Sequence, residues 1–249
     1  MEGRESERKV PVMAEAGRTA VQARDAGQAY SLLKNKIVSM EIEPGEKLSE
    51  NALSAQLHLG RVQVREGLAQ LAEEGYIKVY PQRGTEVTLI DRSRLRQAVH
   101  AHIVLEQAVI QELCGNRPEE DELRQLEESM LDRMPEEDAA DTLEFLHAEH
   151  QFHDRLAEYA GHGHIKRVFR MLDCDLLRVS YLLYRTFNYH VSVFALTGRD
   201  RTKVECRMLL NNIRRGDAEA AVLICANHFN AVLGNADLLR GIYPRYFTD

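Results

Sequence analysis

LSENALSAQLHLGRVQVREGLAQLAEEGYIKVYPQRGTEVTLI, residues 48–90, decides the fold of the N-terminal part of the chain. Ser49 is a good N-cap, and Leu53 and Leu57 lie one turn apart, so a short helix is expected to end near His58. A further helix begins after Gly60. Val64, Leu68 and Leu71 form its apolar stripe, and Gly75 suits its C-terminal cap. YIKVY and TEVTLI are rich in β-branched and aromatic residues on either side of PQRG, the pattern of a β-hairpin with a glycine-containing turn. Upstream, AYSLLKNKIVSM places Leu33, Ile37 and Met40 at helical spacing before Pro44-Gly45 breaks the pattern. Three helices and a hairpin within about 60 residues predict a winged helix-turn-helix, a unit that docks its third helix in the DNA major groove.

Arg61 and Arg65 sit about 40° apart on the wheel of that third helix, beside the buried stripe, so both project outward. Arginine can bond bidentately to guanine or clamp phosphates, and Gln63 can pair with adenine or donate to phosphate. Arg83 and Gly84, at the hairpin tip, reach the DNA backbone or the minor groove. The bland alternative is that Arg61 and Arg65 are solvated or pair with Glu66 and nearby carboxylates.

A chain of 249 residues, 44% hydrophobic and 29% charged, has material for two domains with packed cores. A net charge of -7 argues against non-specific nucleic-acid binding by the whole surface but leaves room for a local basic face, and the module carrying Arg61 and Arg65 is close to charge-balanced. No run approaches the roughly 20 apolar residues that span a bilayer, and MEGRESERKV lacks the apolar stretch of a secretory signal, so a cytoplasmic protein without a membrane partner is expected. Cys114, Cys174, Cys206 and Cys225 are scattered and read as buried, reduced thiols.

The expected organisation is a mobile, charged tail over 1–27, the winged helix-turn-helix over 28–90, a linker over 91–94, a helical domain over 95–235 and a tail over 236–249. Beyond Asp91, apolar residues recur at three- and four-residue intervals around 93–114, 119–133, 137–160, 164–187, 200–215 and 217–234. The fold class is therefore mainly α, with an antiparallel helical bundle following the winged module.

Within FLHAEHQFHDRLAEYAGH, residues 145–162, Phe145, Phe152, Leu156 and Tyr159 centre the apolar face. Glu149 and His153 lie along its edge, and His147 and His150 point away. Cys206 shares a face with Leu209, Leu210 and Ile213, and His228 with Ala221, Ile224 and Val232. Periodicity alone favours a small core thiol and a hydrogen-bonded core histidine over metal ligands. Arg178, Tyr181 and Arg185 share one helix side, which is either an effector contact or a solvated face.

IEPGEKLSENALSAQLHLGRVQVREGLAQLAEEGYI with the following PQRGTEV resembles the DNA-binding domain of the GntR family of bacterial transcription regulators. The family's recognition helix usually opens Ser-Arg-Thr-Pro-Val-Arg-Glu-Ala-Leu. Here Gly60-Arg61-Val62-Gln63-Val64-Arg65-Glu66-Gly67-Leu68 stands at that place. Both arginines and the glutamate match, whereas Gly60, Val62 and Gln63 depart and remove two hydroxyls that often touch phosphate or cap the helix. Asn51 and Ala52 lie where many relatives have a base-contacting arginine or an acidic pair.

The helical half resembles the FCD ligand-binding domain of the FadR subgroup. Many of its members hold a divalent metal through an Asp-x3-His pair and two later histidines. Glu149 and His153 match the pair with Glu for Asp, Cys206 stands where histidine is usual, and His228 is in register. The resemblance thus implies a metal site at Glu149, His153, Cys206 and His228, with Zn²⁺ favoured and the thiolate shifting preference to softer ions. His102 falls where relatives often have an arginine that meets an anionic effector.

The expectation is a non-enzymatic, homodimeric regulator of a palindromic operator, controlled by a small-molecule effector such as an organic acid. The alternatives are a metal-dependent helical enzyme with a DNA-tethering module, and a metal or redox sensor switched at Cys206.

Overall fold

Caps and turns set the N-terminal module. The computed structural model describes residues 27–128, 142–187 and 198–248. Helix α1 covers 27–38 and buries Leu33 and Ile37. Ser49 caps α2 (Glu50–Leu57), its Oγ accepting from the Ala52 amide, and His58 stops that helix in the left-handed region at φ 54°. Helix α3 (Arg61–Glu73) buries Val64, Leu68 and Leu71, the stripe expected of it. It ends in a Schellman arrangement: Gly75 has φ +83°, the Tyr76 amide donates to the Leu71 carbonyl (2.9 Å) and the Gly75 amide to that of Ala72 (3.1 Å). A side chain at Gly67 would press on the backbone of Ala29 and Tyr30, so this glycine lets α3 approach α1.

The hairpin forms as β2 (Ile77–Tyr80) and β3 (Gly84–Val87), paired antiparallel with Ile77 opposite Val87 and Tyr80 opposite Gly84. A third strand was not expected. β1 (Lys47–Leu48) pairs antiparallel with β3, giving the order β1-β3-β2. At two residues, β1 is too short to leave an alternating pattern in the sequence.

Asp91 caps α4 (Arg92–Asn116) by accepting from the Arg94 amide, so the residues assigned to a linker belong to a helix and its cap. Then follow α5 (Glu120–Leu126), α6 (Thr142–Tyr159), α7 (Ile165–Thr186), α8 (Gly198–Arg215) and α9 (Ala218–Ile242). The most extensive packing in this domain is α4 along α9 and α8 along α9, with α7 against α4, α6 and α9. Every residue from Asp173 to Leu182 is buried, which makes α7 the central helix.

A second boundary differs from expectation. The segment 236–249 is not a tail as far as it is described. Gly234 sits inside α9, Ala236 and Leu239 continue the buried stripe, and a 3-10 turn (Pro244–Tyr246) leads to Phe247, which bridges in parallel to Ile90. The tail over 1–27 lies, apart from Gly27, outside the described residues, as do parts of the helices expected over 119–133 and 137–160.

The two domains are tied by Arg178, which is fully buried. Its guanidinium donates to the carbonyl of Thr88 (2.5 Å), just beyond β3, to the Asp175 carboxylate (2.6 Å) and to the Cys174 carbonyl (3.1 Å). Arg94 holds the same carboxylate at 2.5 and 3.0 Å.

Candidate functional site

The first candidate is the N-terminal end of α3. Arg61, Val62 and Arg65 are exposed there, Val62 to 56%. Gly60 offers no capping side chain, and the Gln63 amide folds back over the space that a residue-60 side chain would take. Gln63 is accordingly half-buried rather than extended. Arg65 meets Glu50 of α2: Nε lies 3.2 and 3.3 Å from its carboxylate oxygens, and an Nη lies 2.9 Å from one of them. The bland alternative is therefore part of the structure, with Glu50 rather than Glu66 as partner. An exposed pair of this kind is weak and exchangeable, so it positions Arg65 while leaving it available to phosphate. Arg83 and Gly84 are exposed at the hairpin turn, where Gln82 (φ 62°) and Gly84 (φ 97°) take left-handed conformations.

The second candidate is a cavity in the helical domain. Its polar wall is His102 from α4, Glu149, His150 and His153 from α6, Ser180 from α7 and His228 from α9. Leu146, Leu176, Leu177, Phe229 and Val232 supply the apolar wall. Each histidine is matched to a carboxylate. Asp173 receives His102 Nε2 (2.9 Å) and His150 Nε2 (2.8 Å). Glu106 Oε2 is hydrogen-bonded with His153 Nδ1 (2.9 Å) and lies 3.5 Å from the Cys225 thiol, and Oε1 of the same carboxylate is 2.7 Å from His153 Nδ1. His228 is held between Glu149 (Nε2, 2.9 Å) and Glu205 (Nδ1, 3.0 Å), and the Tyr184 hydroxyl donates to the same Glu149 oxygen at 2.8 Å.

These pairings control protonation. Burial alone would lower the His228 pKa, but the hydrogen bonds to Glu149 and Glu205 outweigh it and raise the value to about 10. His150 is likewise lifted against burial, by Asp173, to about 9. Burial would raise Asp173, yet His150 and His102 hold it well below the usual carboxylate range.

Glu149, His153 and His228 do meet at one cavity, but they do not fit as metal ligands together with Cys206. Among the described residues, no three His, Cys, Asp or Glu side chains are arranged to hold a metal ion. Glu149 Oε1 and His228 Nε2 pair with each other, while the buried Glu149 Oε2 has no hydrogen-bond partner among the described residues. Burial first, then Glu149, Glu205 and Glu106, push the Cys206 thiol well above its ordinary value.

The expected effector contacts also move. Arg178 is spent on Thr88 and Asp175, Tyr181 is buried off the cavity wall, and Arg185 is exposed. His150, expected to point away, lines the cavity because Asp173 of the central helix draws it inward. Glu106, Asp173, Glu205 and Tyr184 were missed by sequence reasoning. Glu106 had a signal, a carboxylate one turn after His102 inside the apolar stripe of α4.

A winged module with a basic helix edge, joined to a helical domain, defines a DNA-binding transcription regulator. Residues 25–87 match the bacterial regulatory proteins of the gntR family, and residues 97–231 match the FCD domain. The chain belongs to the GntR family regulators that carry an FCD domain. It is 28% identical over 231 residues, 88% of either chain, to an uncharacterized HTH-type transcriptional regulator in an unstable DNA locus of Streptomyces ambofaciens. It is also 28% identical to the HTH-type transcriptional repressor RspR of Escherichia coli strain K12, over 73% of this chain and 82% of that one. Among solved structures, E. coli McbR/YncC shares the fold with a TM-score of 0.67 at 17% identity, covering 88% of this chain and 98% of the other. No helix among the described residues is long and apolar enough to cross a membrane.

Proposed function

We propose that this chain is a cytoplasmic, homodimeric regulator of the FadR subgroup that binds a palindromic operator through Arg61, Arg65, Arg83 and Gly84, and that a small-molecule effector in the α4/α6/α7/α9 cavity controls its affinity. Gln63 joins the DNA contacts once it swings off Gly60. A two-fold protein on a two-fold site doubles the contacts that one small module can make.

The observation that carries the effector reading is the position of α7. Ser180, Leu176 and Leu177 line the cavity, and Asp173 anchors two of its histidines. On the same helix, Asp175 and Arg178 grip Arg94 and the Thr88 carbonyl at the root of the wing. A ligand that shifts α7 therefore also acts on the wing, and one that prefers one dimer geometry changes the spacing of the recognition helices.

The cavity serves binding rather than catalysis, in keeping with families and relatives that are transcription regulators. A Cys206 redox switch is disfavoured by a buried thiol held protonated beside carboxylates.

The test uses an operator duplex selected from genomic fragments bound by the full chain. Arg61→Ala should weaken binding at least tenfold and reduce the salt slope by about one, with the fold intact. Unchanged affinity and slope would remove the DNA-reading assignment. Asp173→Asn should keep operator binding while losing its response to effector, and a preserved response would break the α7 coupling.

A further inference from the structure

Thr88 stands where three parts of the chain meet. Its Oγ1 lies 2.8 Å from the Gly75 carbonyl and 3.2 Å from that of Tyr76, and its amide donates to the Tyr76 carbonyl at 2.9 Å. Its own carbonyl and Oγ1 accept from the Arg178 guanidinium at 2.5 and 3.3 Å. Chemistry fixes the directions along this chain. A guanidinium only donates and a carbonyl only accepts, so the one hydroxyl proton of Thr88 points away from Arg178 to the carbonyls that close α3.

The chain joins the two ends that control by an effector has to connect. On α7, Arg178 comes directly after Leu176 and Leu177 and shortly before Ser180, all three on the cavity wall. Gly75 is the left-handed residue, φ +83°, at which the recognition helix ends. Tyr76, the next residue, is fully buried, and its hydroxyl has no hydrogen-bond partner among the described residues. Burial first, then Cys174 and Asp173 of α7, push that hydroxyl well above the usual tyrosine value, so a second residue at the end of α3 also feels α7.

We propose that the Thr88 hydroxyl is the joint through which a displacement of α7 reaches the recognition helix itself, and not the wing alone. This rests on the reading of the cavity as the effector site. A 13-residue helix is about 20 Å long, so a tilt of about 5° at the Gly75 end moves Arg61 by about 2 Å. A hydrogen bond to phosphate does not survive such a shift.

Coupling between sites is reciprocal, so operator binding acts back on α7. The test is amide hydrogen exchange of the full chain with and without the operator duplex, read on peptides covering Asp173 to Leu182. In the unaltered chain, exchange there should change at least about twofold when DNA binds. Thr88→Val keeps the branched shape and removes the hydroxyl; it should bind operator within about threefold and lose most of the α7 response, which Thr88→Ser restores. A hydroxyl that only held the fold would lower the urea midpoint and leave the response to DNA in place. A full α7 response in Thr88→Val overturns the joint and leaves α7 as the effector-coupled helix. Operator binding without any change in α7 of the unaltered chain overturns both. Because valine crowds a polar site, Thr88→Ala is measured beside it; loss of operator binding in both variants assigns the hydroxyl to the fold of the reading head and overturns the joint.

Discussion

Arg178→Met isolates the junction between the two domains. The substitution keeps the volume and apolar contacts of the stem but removes a guanidinium that is fully buried. Breaking a buried ion pair by deleting one partner costs about 3–5 kcal/mol, because the remaining charge loses its compensation. Here Asp175 keeps Arg94 on both of its oxygens, at 2.5 and 3.0 Å, which brings that part down to about 2 kcal/mol. The Thr88 carbonyl loses its donor, adding about 1 kcal/mol. The expected loss is therefore about 3 kcal/mol, read as a fall in urea midpoint at constant slope. Arg178→Lys should recover only part of it, since one ammonium cannot reproduce the fork that reaches Thr88 and Asp175 together. In a double-mutant cycle with Asp175→Asn, the coupling should be at least about 1 kcal/mol. Additive effects, or a loss below about 1 kcal/mol for Arg178→Met, would show that the junction is not held by this cluster.

Gly75→Ala forces a Cβ into the left-handed region at φ +83° and should cost about 1–2 kcal/mol by urea titration, whereas a neutral result would mean that the end of α3 can rearrange. Glu50→Gln releases Arg65 from its carboxylate and should make operator binding tighter and its salt dependence steeper by about one; an unchanged slope would show that Arg65 does not reach phosphate. His228 has a folded pKa of about 10 against about 6.5 unfolded, so its contribution to stability is complete below about pH 6.5 and is lost as pH rises through about 10. His150, raised to about 9, acts in the same direction. Tm should accordingly fall from pH 7 to 10, and fall less steeply in His228→Gln; parallel profiles for the two proteins would refute the ion triad.

The winged module was legible because its signals are local. Ser49, Gly75 and the stripe of Val64, Leu68 and Leu71 each act within a turn or two, and the structure uses each as its chemistry suggests. Arg61 and Arg65 could be placed on one exposed edge from helical geometry alone. The partner of Arg65 could not, since Glu50 lies on another helix.

The cavity was harder to read for the same reason. A helical wheel finds Glu149 and His153 on an inner edge but cannot say that Glu106, Asp173 and Glu205, from three other helices, will face the histidines. It placed His150 outward because the wheel knows nothing of Asp173. Arg178 looked like a ligand contact because a lone arginine on a helix side carries no mark of the backbone carbonyl that it will meet. Resemblance located the cavity residues but not their chemistry, because the meaning of Cys206 depends on the carboxylates packed around it.

The placement of α9 bears on the order in which the molecule becomes competent during synthesis. The sheet and the α1–α3 contact close within residues 27–90, so the DNA-reading module has nearly all of its own contacts once that stretch is made. The cavity, by contrast, lacks the wall carrying His228, Phe229 and Val232 until α9 arrives to lie along α4, more than 100 residues later in the chain. A chain emerging from the ribosome can thus fold its reading head first and finish its sensor last, leaving the Glu149 carboxylate of α6 without its histidine partner until α9 supplies His228.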